Sequence, residues 1–296
     1  MALDLLSECR KRIVLGDGAM GTELQRAGLQ PGHSGESWNL EHPDEISAIH
    51  RRYVEAGSEI VISNSFGANP WVLSRYGLEA QLPAINRAAA SIARQAAGPD
   101  VLVLGDIGPF GGFLSPLGDV APDEVLEAFT RQAAALLEGG ADGIIIETMS
   151  AIEETLLAVK AARVAGAPLV VASMAFAHLQ GGAFRTMMGV GPGEAAMALS
   201  DAGADIIGAN CGTRMTPGDF AKLAAALRQA VGVLLMIQPN AGQPELHGRH
   251  VVYRLAAEAF ADEMREVVNG GARIVGGCCG TTPAHIAALA AVLRQT

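Results

Sequence analysis

Short, nearly continuous apolar runs alternate along this chain with longer segments of helical period. The runs fall at 12–17 (RIVLGD), 59–64 (EIVISN), 101–106 (VLVLGD), 142–147 (DGIIIE), 168–174 (PLVVASM), 205–210 (DIIGAN), 232–237 (GVLLMI) and 273–276 (RIVG). A strand covered on both faces has no polar side to show, so such runs predict buried parallel strands. The intervening segments carry helix starts. His42-Pro43-Asp44 precedes EISAIHRRYVEAG, Ser150 to Glu153 reads as a capping box, and Thr216-Pro217 and Thr282-Pro283 each set a cap before a first-turn proline. Helices close on a repeated turn, EAGSEI, EGGADG, DAGADI and NGGARI, in which glycine ends the helix just before a strand. Strict alternation of eight strands and eight helices, without a linker, predicts one (β/α)8 TIM barrel over residues 1–296. A doubly wound open sheet is the weaker reading, because the first βα turn, GDGAMGTE, lacks GxGxxG spacing.

Composition narrows the partners. Half the residues are apolar, 18% are charged, and the formal net charge is −10. With no Lys/Arg-rich run, this argues against nucleic acid and anionic membrane surfaces as main partners. No apolar stretch approaches the ~18 residues of a membrane span. The start, MALDLLSECRKR, has no signal-peptide core, and a cytoplasmic location is expected. There structural disulfides are disfavoured. The four cysteines, Cys9, Cys211, Cys278 and Cys279, match neither a CxxC redox motif nor paired zinc knuckles.

In a barrel of this kind the chemistry gathers at the C-terminal strand ends. Those ends carry Asp17-Gly18, Asn64-Ser65-Phe66-Gly67, Asp106, Glu147-Thr148, Asn210-Cys211-Gly212, Gln238-Pro239-Asn240 and Cys278-Cys279. Three cysteines therefore share one rim, while Cys9, ahead of the first strand, belongs to the opposite end. Neighbouring strand residues point to opposite faces, so Cys278 and Cys279 can both turn inward only if the backbone leaves the extended form. The flanking Gly276, Gly277 and Gly280 permit that. Three converging thiolates make a soft anionic pocket suited to Zn²⁺ with one coordination position open. The competing readings are small buried core residues and a vicinal disulfide.

The ordered set GDGAMGTEL (16–24), NSFGAN (64–69), GANCG (208–212), QPNAG (238–242) and GGCCGTTPAHI (276–286) resembles the homocysteine S-methyltransferase family over about residues 10–294. That family includes betaine- and S-methylmethionine-dependent enzymes and the homocysteine-binding barrel of cobalamin-dependent methionine synthase. The resemblance implies that Cys211, Cys278 and Cys279 bind zinc, and that Asp17 and Glu147 contact the amino group of homocysteine. Gly18 and Ala19 are candidate backbone donors to its carboxylate, and Asn210 either orients the Cys211 turn or touches the ligand. A free thiol titrates near ~8.5, and the thiolate is the nucleophile. Taking the homocysteine sulfur as fourth zinc ligand would deprotonate it, and three thiolates on the metal would leave it electron-rich. His285, inside a helix, is expected to be a surface or packing residue rather than a ligand. Asn64, Phe66, Gln238 and Asn240 line the mouth without an assigned role.

The implied reaction is methylation of homocysteine to methionine, a step of methionine biosynthesis, with a sulfonium donor such as S-methylmethionine or S-adenosylmethionine. The alternatives are methyl transfer from a separate corrinoid protein or methylcobalamin, and a betaine-type donor. A quaternary ammonium donor calls for an aromatic cradle, for which Trp38 is the best-placed candidate. The chain has no DxHxxG cobalamin motif. A related thiol or selenol is an alternative acceptor, and the oligomeric state is open. Two rival classes remain. A zinc-stabilised binding subunit requires a closed four-ligand site. A Schiff-base barrel enzyme requires a strand-end lysine, and Lys11, Lys160 and Lys222 end no strand.

Overall fold

The computed structural model describes residues 5–247 and 250–294. Eight parallel strands form the central sheet: β1 (Val14–Leu15), β2 (Ile60–Ile62), β3 (Leu102–Ile107), β4 (Gly143–Met149), β5 (Val170–Met174), β8 (Ile206–Cys211), β9 (Leu234–Pro239) and β12 (Ile274–Val275). Their order is β1-β12-β9-β8-β5-β4-β3-β2, the winding of a (β/α)8 TIM barrel. The eight expected apolar runs each coincide with one of these strands, with β3, β4, β8 and β9 running one or two residues further. Strands β1 and β12 keep only two residues, because glycine-rich turns take over immediately beyond them.

The barrel closes between β1 and β2 through mixed contacts rather than a regular ladder. The Glu59 N–H donates to the Leu15 carbonyl at 2.7 Å. The Ile62 N–H donates to Asp17 Oδ2 at 2.8 Å.

Alternation along the strands separates two cores. Val14, Ile60, Leu102, Leu104, Ile145, Val171, Ile206, Met236 and Ile274 fill the interior. Their neighbours Ile144, Ile146, Val170, Ala172, Ile207, Leu235 and Ile237 face the helices. The helices answer with spaced apolar stripes: in α6 (Leu82–Ala97), Leu82, Ile85, Ala89, Ala90, Ala93 and Ala97 are buried. Above the apolar interior, the same alternation brings Asp106, Glu147, Ser173, Asn210 and Gln238 to the upper strand ends. The fold thus grades from dry base to polar mouth.

The repeated turn behaves as expected. Gly57, Gly140, Gly203 and Gly271 all have positive φ, between 90° and 109°, where a side chain would be strained. Thr216 caps α10 (Pro217–Ala230) in a capping box with Asp219. The box expected at Ser150 does not form: β4 runs on to Met149, the helix α8 (Ile152–Val164) starts from Ala151, and no side chain caps it. Alternation is also less strict than the pattern implied. A helix α1 (Leu5–Lys11) precedes β1, short helices α2 (Met20–Arg26), α3 (Trp38–Glu41) and α5 (Pro70–Ser74) occupy loops, and two hairpins decorate the mouth. These are β6 (Phe176–His178) with β7 (Phe184–Thr186), and β10 (Glu245–His247) with β11 (His250–Val252). Among the described residues, no helix is long and apolar enough to cross a membrane.

Candidate metal and substrate site

The three rim cysteines meet. The Sγ atoms of Cys211, Cys278 and Cys279 all lie within 4.8 Å of one another, with Cys278 and Cys279 4.0 Å apart. Three sulfurs at ~2.3 Å from one tetrahedral zinc stand ~3.8 Å from each other, so the set matches such an ion after small side-chain adjustments. All three are free thiols.

Local backbone explains the convergence. Cys211 closes β8 with φ of 58°. This left-handed turn breaks the alternation that would have sent it away from Asn210, and such conformations cluster at functional sites. Past β12 the chain is neither strand nor helix through Gly276–Cys278. The Cys278 N–H donates to the Pro239 carbonyl at 2.8 Å, and the Ala241 N–H donates to the Cys279 carbonyl at 2.9 Å. The glycines permit close approach. A Cβ on Gly276 would lie 2.7 Å from the Asp17 carbonyl oxygen, and one on Gly280, already at φ 82°, would collide with the Tyr253 ring. The loop after β1 is stitched to the same turn, Gly277 N–H to the Asp17 carbonyl at 2.8 Å and Ala19 N–H to Thr281 Oγ1 at 3.1 Å. The Ala19 amide is thus already engaged, contrary to its expected freedom, and Gly18 is the remaining backbone candidate.

Protons on the cluster are shared unequally. S–H donation from Cys278 and then Cys279 draws the Cys211 thiol down to about 3, while its role as donor pushes Cys278 well up. Cys279 rises to about 11, chiefly through its bond to Cys211, with a Tyr253 hydrogen bond working the other way. Cys9 lies at the other end of the barrel among Val14, Leu102 and Ile274, and burial raises its thiol to about 12.

Asn210 is a hub. Its Oδ1 accepts from Thr148 N–H at 2.9 Å and from Ser173 Oγ at 2.8 Å. Its Nδ2 donates to Thr148 Oγ1 at 2.7 Å and to Cys278 Sγ at 3.8 Å. It holds Thr148, another residue at φ 58°, inside a β4 bulge that also contains Glu147. Bulges of this kind re-aim side chains at barrel rims.

The mouth encloses a cavity of about 840 Å³ whose wall includes the three cysteines, Asp17, Glu147 and Asp106. Asp106, the last residue but one of β3, is among the strand-end residues but carries no assigned role from the sequence; its place after Leu102 and Leu104 marks it as inward-facing. Burial raises Asp17 and Asp106 well above the carboxylate range, and neighbouring acids add to the effect. Burial, then Cys279, lifts Glu147 to about 7. Tyr253, from the segment after β11, also joins the wall, which no strand-end count could have found. Two expectations resolve differently. His285 is a packing residue as expected, its ring nitrogens bonded to Thr282 Oγ1 at 3.0 Å and the Leu255 carbonyl at 2.9 Å. Trp38 is not a cation cradle: its ring meets His42 in a tilted contact at 4.5 Å and packs against the hydrophobic core, outside the cavity wall, where Phe66 and Tyr253 are the aromatics among the described residues.

Known proteins place this geometry. The chain is 35% identical to the methionine synthase of Mycobacterium tuberculosis over 99% of its own length, but spans a quarter of that protein. It is 30% identical to mouse betaine–homocysteine S-methyltransferase 1, covering 94% of this chain and 71% of the relative. The metallated crystal structure of the homocysteine methyltransferase MmuM from Escherichia coli superposes with a TM-score of 0.78 at 26% identity, covering 98% of this chain and 99% of that one. A family model described as homocysteine S-methyltransferase matches residues 14–293, and the chain belongs to that family.

Proposed function

We propose that this protein is a zinc-dependent S-methyltransferase that converts homocysteine to methionine with a sulfonium methyl donor such as S-methylmethionine or S-adenosylmethionine. The observation that carries the reading is the meeting of three sulfurs, from β8 and from the turn after β12, at the wall of a closed-bottomed cavity. Cys211, Cys278 and Cys279 would hold the zinc. When bound there, the metal supplies the positive charge that lets a substrate thiol ionise at neutral pH. The residues of the chain do the rest. Asp17 and Glu147 present carboxylates to the substrate ammonium, Gly18 offers a backbone N–H towards its carboxylate, and Asn210 keeps Thr148 and Cys278 in place. A sulfonium leaves readily, so alignment of thiol and donor supplies much of the remaining acceleration. The single domain 1–296 and a cytoplasmic location fit this reading.

The methionine synthase relatives support a second reading, in which a separate corrinoid protein or methylcobalamin brings the methyl group. The aromatic-poor wall speaks against a betaine donor. The test is a methionine-forming assay with homocysteine and zinc-loaded protein against S-methylmethionine, S-adenosylmethionine, betaine and methylcobalamin in parallel. Turnover with a sulfonium alone is expected. Turnover with methylcobalamin alone would move the assignment to the second reading, and none with any donor would defeat both.

A further inference from the structure

The sulfurs occupy one half of the rim, on β8 and β12 either side of β9, and the acids Asp17, Asp106 and Glu147 occupy the other, on β1, β3 and β4. Asp17 has a structural duty, since its Oδ2 accepts from Ile62 N–H at 2.8 Å across the barrel seam. Asp106 has no such duty. Its backbone is pinned, the N–H donating to Ser63 Oγ at 3.1 Å and the carbonyl accepting from Ser65 Oγ at 2.8 Å. Its carboxyl is 96% buried by residue, lines the cavity, and carries an Oδ1 that receives no hydrogen bond. Asp17 Oδ1 is in the same state. The charges that act on Asp106 come from Glu147, Asp17 and Glu36, all acidic.

A buried acceptor without a donor is costly, and a native structure that holds three on one cavity wall, the third being Gln238 Oε1, calls for an explanation. Acceptors alone are complementary to a group that only donates. An ammonium, with three donors, a positive charge and no acceptor, is that group; a hydroxyl or amide would supply fewer protons and no compensating charge.

We infer that Asp106 is a specificity-determining residue which, with Asp17 Oδ1, forms an all-acceptor cage for the ammonium of an amino-acid thiol. The cage admits thiols that carry a primary ammonium near the sulfur and discriminates against otherwise similar thiols without one. The inference rests on the proposed reading of the cavity as a thiol-methylation site, and adds to it the group that does the choosing.

Asp106→Asn keeps shape and removes the carboxyl that a bound ammonium would hold ionised. Binding to zinc-loaded protein is measured by calorimetry with three probes: homocysteine, 3-mercaptopropylamine (thiol and ammonium) and 4-mercaptobutanoate (thiol and carboxylate). A charge-assisted bond is worth ~1.5–3 kcal/mol, so the variant should bind the two ammonium thiols ~10–100-fold more weakly. Its affinity for 4-mercaptobutanoate and its zinc content should match the parent. Asp106→Ser is measured alongside, so that poor folding of one variant leaves the other. Equal weakening for all three probes, or for none, overturns the inference while leaving the methyltransferase reading intact. Failure of the unsubstituted protein to bind any of the thiols sinks both.

Discussion

Asn210 shows how one side chain sets the geometry of several others. It is fully buried and bonds to Thr148, Ser173 and Cys278. Replacing it by alanine strands the Thr148 N–H and frees a left-handed residue whose conformation is costly on its own. Asn210→Ala is therefore expected to lose ~2–4 kcal/mol of stability, read as a lower urea midpoint at unchanged slope. An unchanged midpoint would instead make Asn210 chiefly a ligand contact. At this scale the sequence was most informative where a chemical residue closed an apolar run: Cys211, Glu147 and Asp17 each do so. Asp106 obeys the same rule in VLVLGD and stands with the strand ends, but its role rests on the burial and missing partner that only the structure shows. Tyr253 was not legible, because its approach to Cys279 depends on a loop path that no strand or helix period encodes.

Elements place these residues, and their own anchors are open to titration. Glu154, in the first turn of α8, accepts from the Phe110 N–H at 2.7 Å and so ties the helix to the loop after β3. Burial outweighs that hydrogen bond and raises its carboxyl from 4.5 to about 7. A carboxyl that is more basic when folded binds more protons in the native state, so its contribution to stability falls as pH rises from about 4.5 to about 7 and is level above. Glu154→Gln keeps an acceptor for Phe110 and removes the titration. Denaturant midpoints at pH 5 and pH 8 should then differ less in the variant than in the parent, by up to ~3 kcal/mol once converted to free energy. Asp17, Asp106 and Glu147 add to the slope with the same sign, while His50, which burial lowers to about 4, opposes them. An identical pH difference in both proteins would show that Glu154 is ionised freely. The strands themselves were readable because burial on both faces removes polar positions from a run, and the repeated glycine turn because only positive φ fits there. The hairpins β6–β7 and β10–β11 were not, since three-residue strands outside the barrel are too short to show a period.

At the scale of the whole molecule, the proposed metal would join segments far apart in the chain: the end of β8 and the turn after β12, itself stitched to the loop after β1. The unfolded chain cannot hold three sulfurs in that arrangement, so metal binding adds to folding stability with the logarithm of the ratio of free metal to its dissociation constant. At a free concentration ~100 times the dissociation constant the gain is ~2.7 kcal/mol, equivalent to roughly 4–5 °C in Tm for a chain of this size. Removing metal with a chelator should therefore lower the midpoint by that order, and restoring zinc should recover it. Cys279→Ser should bind less than stoichiometric zinc by elemental analysis and lose the response to chelator. Cys9→Ala, altered in the dry base of the barrel, should keep both. A chelator response that survived Cys279→Ser but vanished with Cys9→Ala would place the ion at the wrong end of the barrel. A midpoint indifferent to zinc in the unsubstituted protein would mean that the sulfurs gather without an ion to hold.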